Sequence, residues 1–316
     1  MLSPILEHVA SYGWDQNRLP VDARRVEGLV SMLRQKKVTG LAVACWKAGD
    51  LLLDAEQEAD LAAVQLGLAA VALEIDSLTL RTLDELGADG MIVLKGIVHA
   101  HLDYPEPSWR EYGDVDLLVA SERLHDVERW FESLGFVRSF EAFGRRWEDQ
   151  FGKSITLKSD RLEVDLHRGL SQGLALGVDI GSLFERRSTF VHAGVEIPSL
   201  DPAARLVHAA VHAIGGSETP PLTGLIDISH MATEPGRLEA ALRLAMQWDV
   251  SLTLADGVRV AAERVGGIQP NELAMVAGVR GSANERIRRR ILDRPGHGFR
   301  NDLLAGFVSL RGVRRR

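Results

Sequence analysis

The stretch Gly113-Asp114-Val115-Asp116-Leu117-Leu118-Val119 constrains this chain more than any other. Alternating acids and an apolar residue, followed by three apolar residues, describe a short strand running into a core. Side chains alternate faces along a strand, so Asp114 and Asp116 project from one face and Val115 from the other. Two carboxylates that close on one surface repel each other unless a proton or cation sits between them. A divalent ion resolves the repulsion, and Mg²⁺ is an ion that carboxylate oxygens favour. Taken alone, the same spacing also describes two exposed acids at the mouth of a strand.

The neighbouring segments supply context. Met91-Ile92-Val93-Leu94, bounded by Gly90 and Gly96, reads as a buried strand, with a helix expected from Ile97 to Leu102. A strand, a glycine and a helix start in succession make a place where backbone N–H groups can cradle phosphate. Tyr104-Pro105-Glu106-Pro107 reads as a loop, because its prolines oppose helix. Ser121 is expected to cap a helix whose buried stripe is Leu124, Val127, Trp130, Phe131 and Leu134. Gly135 ends that helix and Phe136-Val137 begins another strand. Ile155 to Lys158 and Leu162 to His167, joined at Ser159-Asp160, read as a hairpin. In its second arm Leu162, Val164 and Leu166 share one face, and Glu163, Asp165 and His167 the other. Glu163 and Asp165 are thus alternative partners for the first acidic pair.

The flanks read as helical. Val21 to Gln35 carries Val26, Leu29, Val30 and Leu33 at helical spacing, and Glu56 to Leu86 reads as one long or two consecutive helices ending at Gly87. After residue 200, Asp201-Pro202 is a helix start, followed by Leu206 to Ala213. Further helices are expected over Leu225–Met231, Leu238–Trp248 and Leu252–Val265. The expected organisation is an α+β fold in three parts: an N-terminal helical region over 1–88, a core with a small mixed sheet over 89–198, and a C-terminal helical domain over 199–316.

Composition excludes several classes. The 46% hydrophobic and 26% charged residues of this 316-residue chain are those of an ordinary globular protein. The single cysteine, Cys45, rules out an intramolecular disulfide and a cysteine-rich zinc site. Met1 to Asp15 lacks the basic start and apolar block of a secretory leader, and Leu61 to Leu73 reads as too short and polar to span a bilayer. The expectation is therefore a cytoplasmic protein with no membrane partner. Net charge is −7, yet Arg280 to Arg316 holds eleven arginines against Glu285, Asp293 and Asp302, a balance of +8. That arginine-rich C-terminus is the one sequence feature pointing toward RNA; a solvated helix face carries such charge equally well. His208 and His212 stand at i, i+4 and read as packing residues, since no glutamate follows the first histidine as in a zinc-protease helix. His99 and His101 lie close to the glycine turn with no assigned task.

Together these pieces resemble the uncharacterised bacterial nucleotidyltransferase family of the DNA polymerase β-like superfamily. The resemblance rests on Leu94-Lys95-Gly96, Tyr104-Pro105, Arg110-x-x-x-Asp114-Val115-Asp116-Leu117-Leu118-Val119, Gly135-Phe136 and Val164-Asp165-Leu166-His167. It extends to Leu206-Val207-His208 with His212, and to Leu225-Ile226-Asp227. It implies a catalytic core in which Asp114, Asp116 and Asp165 are catalytic and hold Mg²⁺ (or Mn²⁺). Lys95, Gly96, Arg110 and His167 form the nucleotide-binding set. The superfamily usually has Gly-Ser where this chain has Lys95-Gly96, and a shorter gap to the first aspartate than Ile97 to Gly113.

The implied reaction moves a nucleoside monophosphate from an NTP to an acceptor hydroxyl on a small molecule, RNA or protein, by a two-metal mechanism. A catalytically silent nucleotide- or partner-binding module on the same fold is the first alternative. A D-x-D glycosyltransferase is the second. It calls for an alternating strand–helix region before the acidic pair, where this chain reads as helical.

Overall fold

The computed structural model describes residues 3–14, 18–139, 154–170, 178–215 and 219–292. The N-terminal part holds α1 (Pro4–Ala10), β1 (Val21–Asp22), α2 (Leu29–Gln35), α3 (Thr39–Lys47), β2 (Leu51–Leu52) and α4 (Ala55–Leu86). Next come β3 (Met91–Val93), α5 (Lys95–Leu102), β4 (Asp114–Val119), α6 (Leu124–Ser133), β5 (Val137–Arg138), β6 (Ser154–Lys158) and β7 (Glu163–His167). The chain continues with α7 (Ile180–Glu185), β8 (Ser188–His192), β9 (Val195–Ser199), α8 (Pro202–Gly215), α9 (Leu222–Ala232), α10 (Arg237–Gln247), α11 (Ser251–Arg264), α12 (Pro270–Ala277) and α13 (Ala283–Leu292). The fold is α+β, with a mixed sheet between helical flanks, as the sequence predicts.

Among the described residues the main sheet has seven strands in the order β5-β6-β7-β4-β3-β9-β8. β4 runs antiparallel to β3 and parallel to β7. Its alternation divides the core in two. Val115, Leu117 and Val119 join Met91, Val93, Ile97, Val127 and Phe131 in a cluster with the second half of α4. Leu118 and Ile92 face the other way, into a cluster built from the N-terminal helices and α8 to α11. Each such buried aliphatic side chain contributes about 1.5–3 kcal/mol, so slipping β4 by one residue is costly. Asp116 shares the face of Leu118, which places the acids under the C-terminal helices.

Several sequence expectations need correction. Val21 to Gln35 is not one helix. Val21–Asp22 pairs in parallel with Leu51–Leu52, and the helix begins only after Gly28, whose φ of 65° is left-handed. Ser121 does not cap α6; residues 121–123 form a turn, and Arg123 ties it down by donating to Leu86 O and Asp89 O. The strands Ser188–His192 and Val195–Ser199 were not expected, and they extend the sheet beyond β3. Glu56 to Leu86 is one helix, opened by an Asp54–Gln57 capping box. Asp201 caps α8 through Ala204 N at 2.9 Å. Among the described residues α4 is the one helix long and apolar enough by composition to cross a membrane. Little of its apolar stretch is buried, which corrects the reading of Leu61 to Leu73 as too short and polar to span a bilayer. The second half of the helix buries Ile75 and Leu83 beneath the sheet.

Candidate active site

The parallel register of β4 and β7 builds the acidic face. Asp114 lies opposite Glu163, Asp116 opposite Asp165, and Leu118 opposite His167. Asp116 is buried, and its Oδ1 accepts from His167 Nε2 at 2.7 Å and Lys95 Nζ at 2.9 Å. Burial alone would raise the Asp116 carboxyl; the His167 hydrogen bond and the Lys95 charge outweigh it and hold the group far below the carboxylate range. Asp114 shifts the other way, raised by burial and by Asp116, with Lys95 and Lys37 pulling it down. Asp116, Asp165 and His167 each offer a ligand atom within 4.8 Å of the others. Asp165 accepts from Thr156 Oγ1, whereas Glu163 is engaged with Lys158 at 2.7 Å.

Gly96 explains how the turn reaches this face. Its φ of 39° and ψ of −116° lie outside the range of L side chains, inside what is otherwise the first turn of α5. The bend packs the Gly96 backbone against Tyr112 and Asp114 O and swings Lys95 onto Asp116.

Above the acids lies a cleft of about 420 Å³, lined by Lys36, Lys37, Lys95, Gly96, Asp114, Asp116 and, from the C-terminal helices, His212, Thr223 and Arg264. The chain has six lysines, and three of them line this cleft. A strongly basic wall facing a carboxylate floor suits a polyphosphate carried by divalent ions.

The predicted residues separate into two groups. Asp114, Asp116, Lys95 and Gly96 line the cleft, and Asp165 stands one strand over from Asp116. His167 is buried beneath, bound to Asp116. Arg110 reaches the cleft wall, but its guanidinium grips Asp227 in a bidentate pair at 2.7 and 3.0 Å and also donates to Glu111 O. Tyr104 Oη donates to the same carboxylate at 2.7 Å. This buried group, with Asp103 held by His99, Arg205 and Arg237, fastens the sheet region to α8, α9 and α10. Lys36, Lys37, Tyr112 and Arg264 escaped sequence reasoning. The available signal was the rarity of lysine, which makes the Lys36-Lys37 pair conspicuous.

Of the arginine-rich C-terminus, residues 293–316 lie outside the described residues. In α13, Arg288 pairs with Asp249 at 3.0 Å and Arg289 with Asp256.

Acids on adjacent strands beneath a basic cleft suit the handling of divalent ions and polyphosphate. The chain belongs to the family described as uncharacterised nucleotidyltransferases, whose profile matches residues 22–266. No curated protein matches it. Among solved structures it is similar to an antigenic nucleotidyltransferase-like protein from Paracoccidioides brasiliensis, with 17% identity and a TM-score of 0.32, over 58% of this chain and 91% of that one.

Proposed function

We propose that the protein is a Mg²⁺-dependent nucleotidyltransferase that transfers a nucleoside monophosphate from an NTP to an acceptor hydroxyl. The observation that carries this reading is the register Asp114–Asp116 beside Asp165, next to the Lys95-Gly96 bend and under a lysine-rich cleft. The donor set fits a hard divalent ion: Asp116 is held ionised, and Asp114, raised by burial and then by Asp116, gains from a cation. Asp114, Asp116 and Asp165 would hold the metal. When bound, the ions neutralise the triphosphate and departing pyrophosphate and activate the acceptor oxygen.

The chain's own residues then have distinct tasks. Lys36, Lys37 and Arg264 take the phosphates, and the Gly96 bend, in a conformation that favours glycine, presents the backbone at the start of α5 to them. Lys95 leaves Asp116 and follows the phosphate charge. Asp165 receives the acceptor proton. His167, from below, keeps Asp116 oriented and ionised. Arg110, committed to Asp227, shapes the wall. The acceptor is a small molecule, RNA or protein.

One observation favours a second reading, a nucleotide-binding module without turnover. The Lys95 ammonium already balances the charge of Asp116, and His167 occupies the same carboxylate oxygen, a role a metal would otherwise fill. The deciding experiment mixes protein, Mg²⁺ or Mn²⁺, the four α-³²P-labelled NTPs and a cell extract as acceptor source. Label transfer by the wild type, lost in Asp116→Asn, supports the enzyme. Metal-dependent NTP binding by calorimetry without transfer supports the module. Absence of NTP binding overturns both.

A further inference from the structure

A second cluster of ligand-type side chains lies on the far side of Tyr112 from the cleft. It joins three elements distant in sequence: Asp76 of α4, His101 near the end of α5, and His192 at the end of β8. One ligand atom from each lies within 4.8 Å of the other two. The His101 and His192 rings are 4.3 Å apart between centroids, tilted by 47°. His192 Nε2 is 3.2 Å from Asp76 Oδ2, while the other oxygen of that carboxylate accepts from Tyr112 Oη at 2.8 Å.

We propose that Asp76, His101 and His192 form a binding site for a zinc-class divalent ion, separate from the carboxylates of the cleft. Two imidazoles and one carboxylate are the donor set of open zinc sites, in which a water completes the coordination. Imidazole donors select transition ions over Mg²⁺, so the two sites are chemically distinct. The Tyr112 hydroxyl on Asp76 Oδ1 fixes the carboxylate and leaves Oδ2 toward the histidines, the arrangement by which outer partners orient metal ligands. The side chains of His192 and Asp76 are 23% and 12% exposed, so an ion reaches them from solvent. Because Tyr112 also backs the Gly96 bend, an ion here would brace α4, α5 and β8 behind the phosphate turn.

The test uses the full chain, stripped with a chelator and titrated with Zn²⁺ against a chromophoric competitor, with Co²⁺ as a spectroscopic substitute. The proteins are wild type, His101→Gln, His192→Gln and the double variant Asp116→Asn/Asp165→Asn, each checked for fold by circular dichroism. The expected result is one tight equivalent and visible Co²⁺ d–d bands in the wild type and in the double aspartate variant. Each histidine variant should lose at least about 10- to 100-fold in affinity. If His192→Gln does not fold, His101→Gln decides alone. Zinc bound equally by the histidine variants, lost in the aspartate variant, or not bound by the wild type would each overturn the assignment. None of these outcomes depends on nucleotidyl transfer, so its failure is separable from failure of the proposed function.

Discussion

Lys95 and Asp116 form an ion pair 2.9 Å long on the floor of the cleft, with the aspartate side chain 2% and the lysine side chain 14% exposed. The pair joins the two sequence features that stood out first, the acidic strand and the glycine bend. Removing one member of a buried pair leaves an uncompensated charge. Lys95→Met should cost about 3 kcal/mol, at the low end for such pairs because His167 still holds the carboxylate. Denaturant unfolding measures this, and NTP titration of the same variant should show weakened binding. Unchanged stability would mean that Lys95 is free of Asp116 in solution.

Gly96→Ala tests the bend. An added Cβ would meet only ordinary contacts, at 3.6 Å or more, so the penalty is conformational. A side chain held at φ 39° and ψ −116° costs roughly 1–3 kcal/mol. Stability should fall by that amount, and NTP affinity should fall with it as the turn relaxes. A variant as stable as wild type that binds NTP normally would show that the bend is not needed.

Lys37→Ala and Arg264→Ala probe the basic wall. Each should weaken NTP binding by about 1 kcal/mol, roughly fivefold to tenfold, with little change in unfolding. The loss should shrink at high salt, since the charges line an open cleft. Binding that is indifferent to both variants would place the triphosphate elsewhere.

His230 sets a pH signature. Burial, partly offset by Asp227 and Asp103, lowers it from 6.5 to about 4. Between those values the unfolded chain holds the proton and the folded chain does not, so stability from this group rises with pH through the window and is lost as pH falls. Glu285, pushed up to about 7 by burial, slopes the opposite way, so His230's part is read from a difference. From pH 4 to 6.5 wild type should gain roughly 3 kcal/mol relative to His230→Gln. A constant gap between the two proteins across that range would refute it.

The acidic face was legible because strand periodicity is local: Asp114, Asp116, Asp165 and His167 need only an alternating pattern to be placed on one side. Their meeting required the parallel register of β4 and β7, which local pattern does not encode. The edge strand β8 was hidden because exposed Thr189 and Val191 leave it without a clean apolar alternation, and β9 beside it went unseen with it. Arg110 belongs to the nucleotide-binding set that the resemblance implies, and its pairing with Asp227, 117 positions away, is beyond any local pattern. Lys37 and Arg264 reach the cleft from opposite ends of the chain, and no window of sequence contains both.

The N-terminal helices share one core with α8 to α11, while the main sheet lies between them in the chain. Trp14 packs its ring 4.7 Å from that of His230, and Leu6 and Val9 are buried in the same cluster. During synthesis the first helices therefore leave the ribosome well before their partners exist. Their apolar faces must wait, sheltered by chaperones or by provisional contacts, until residues beyond 202 emerge.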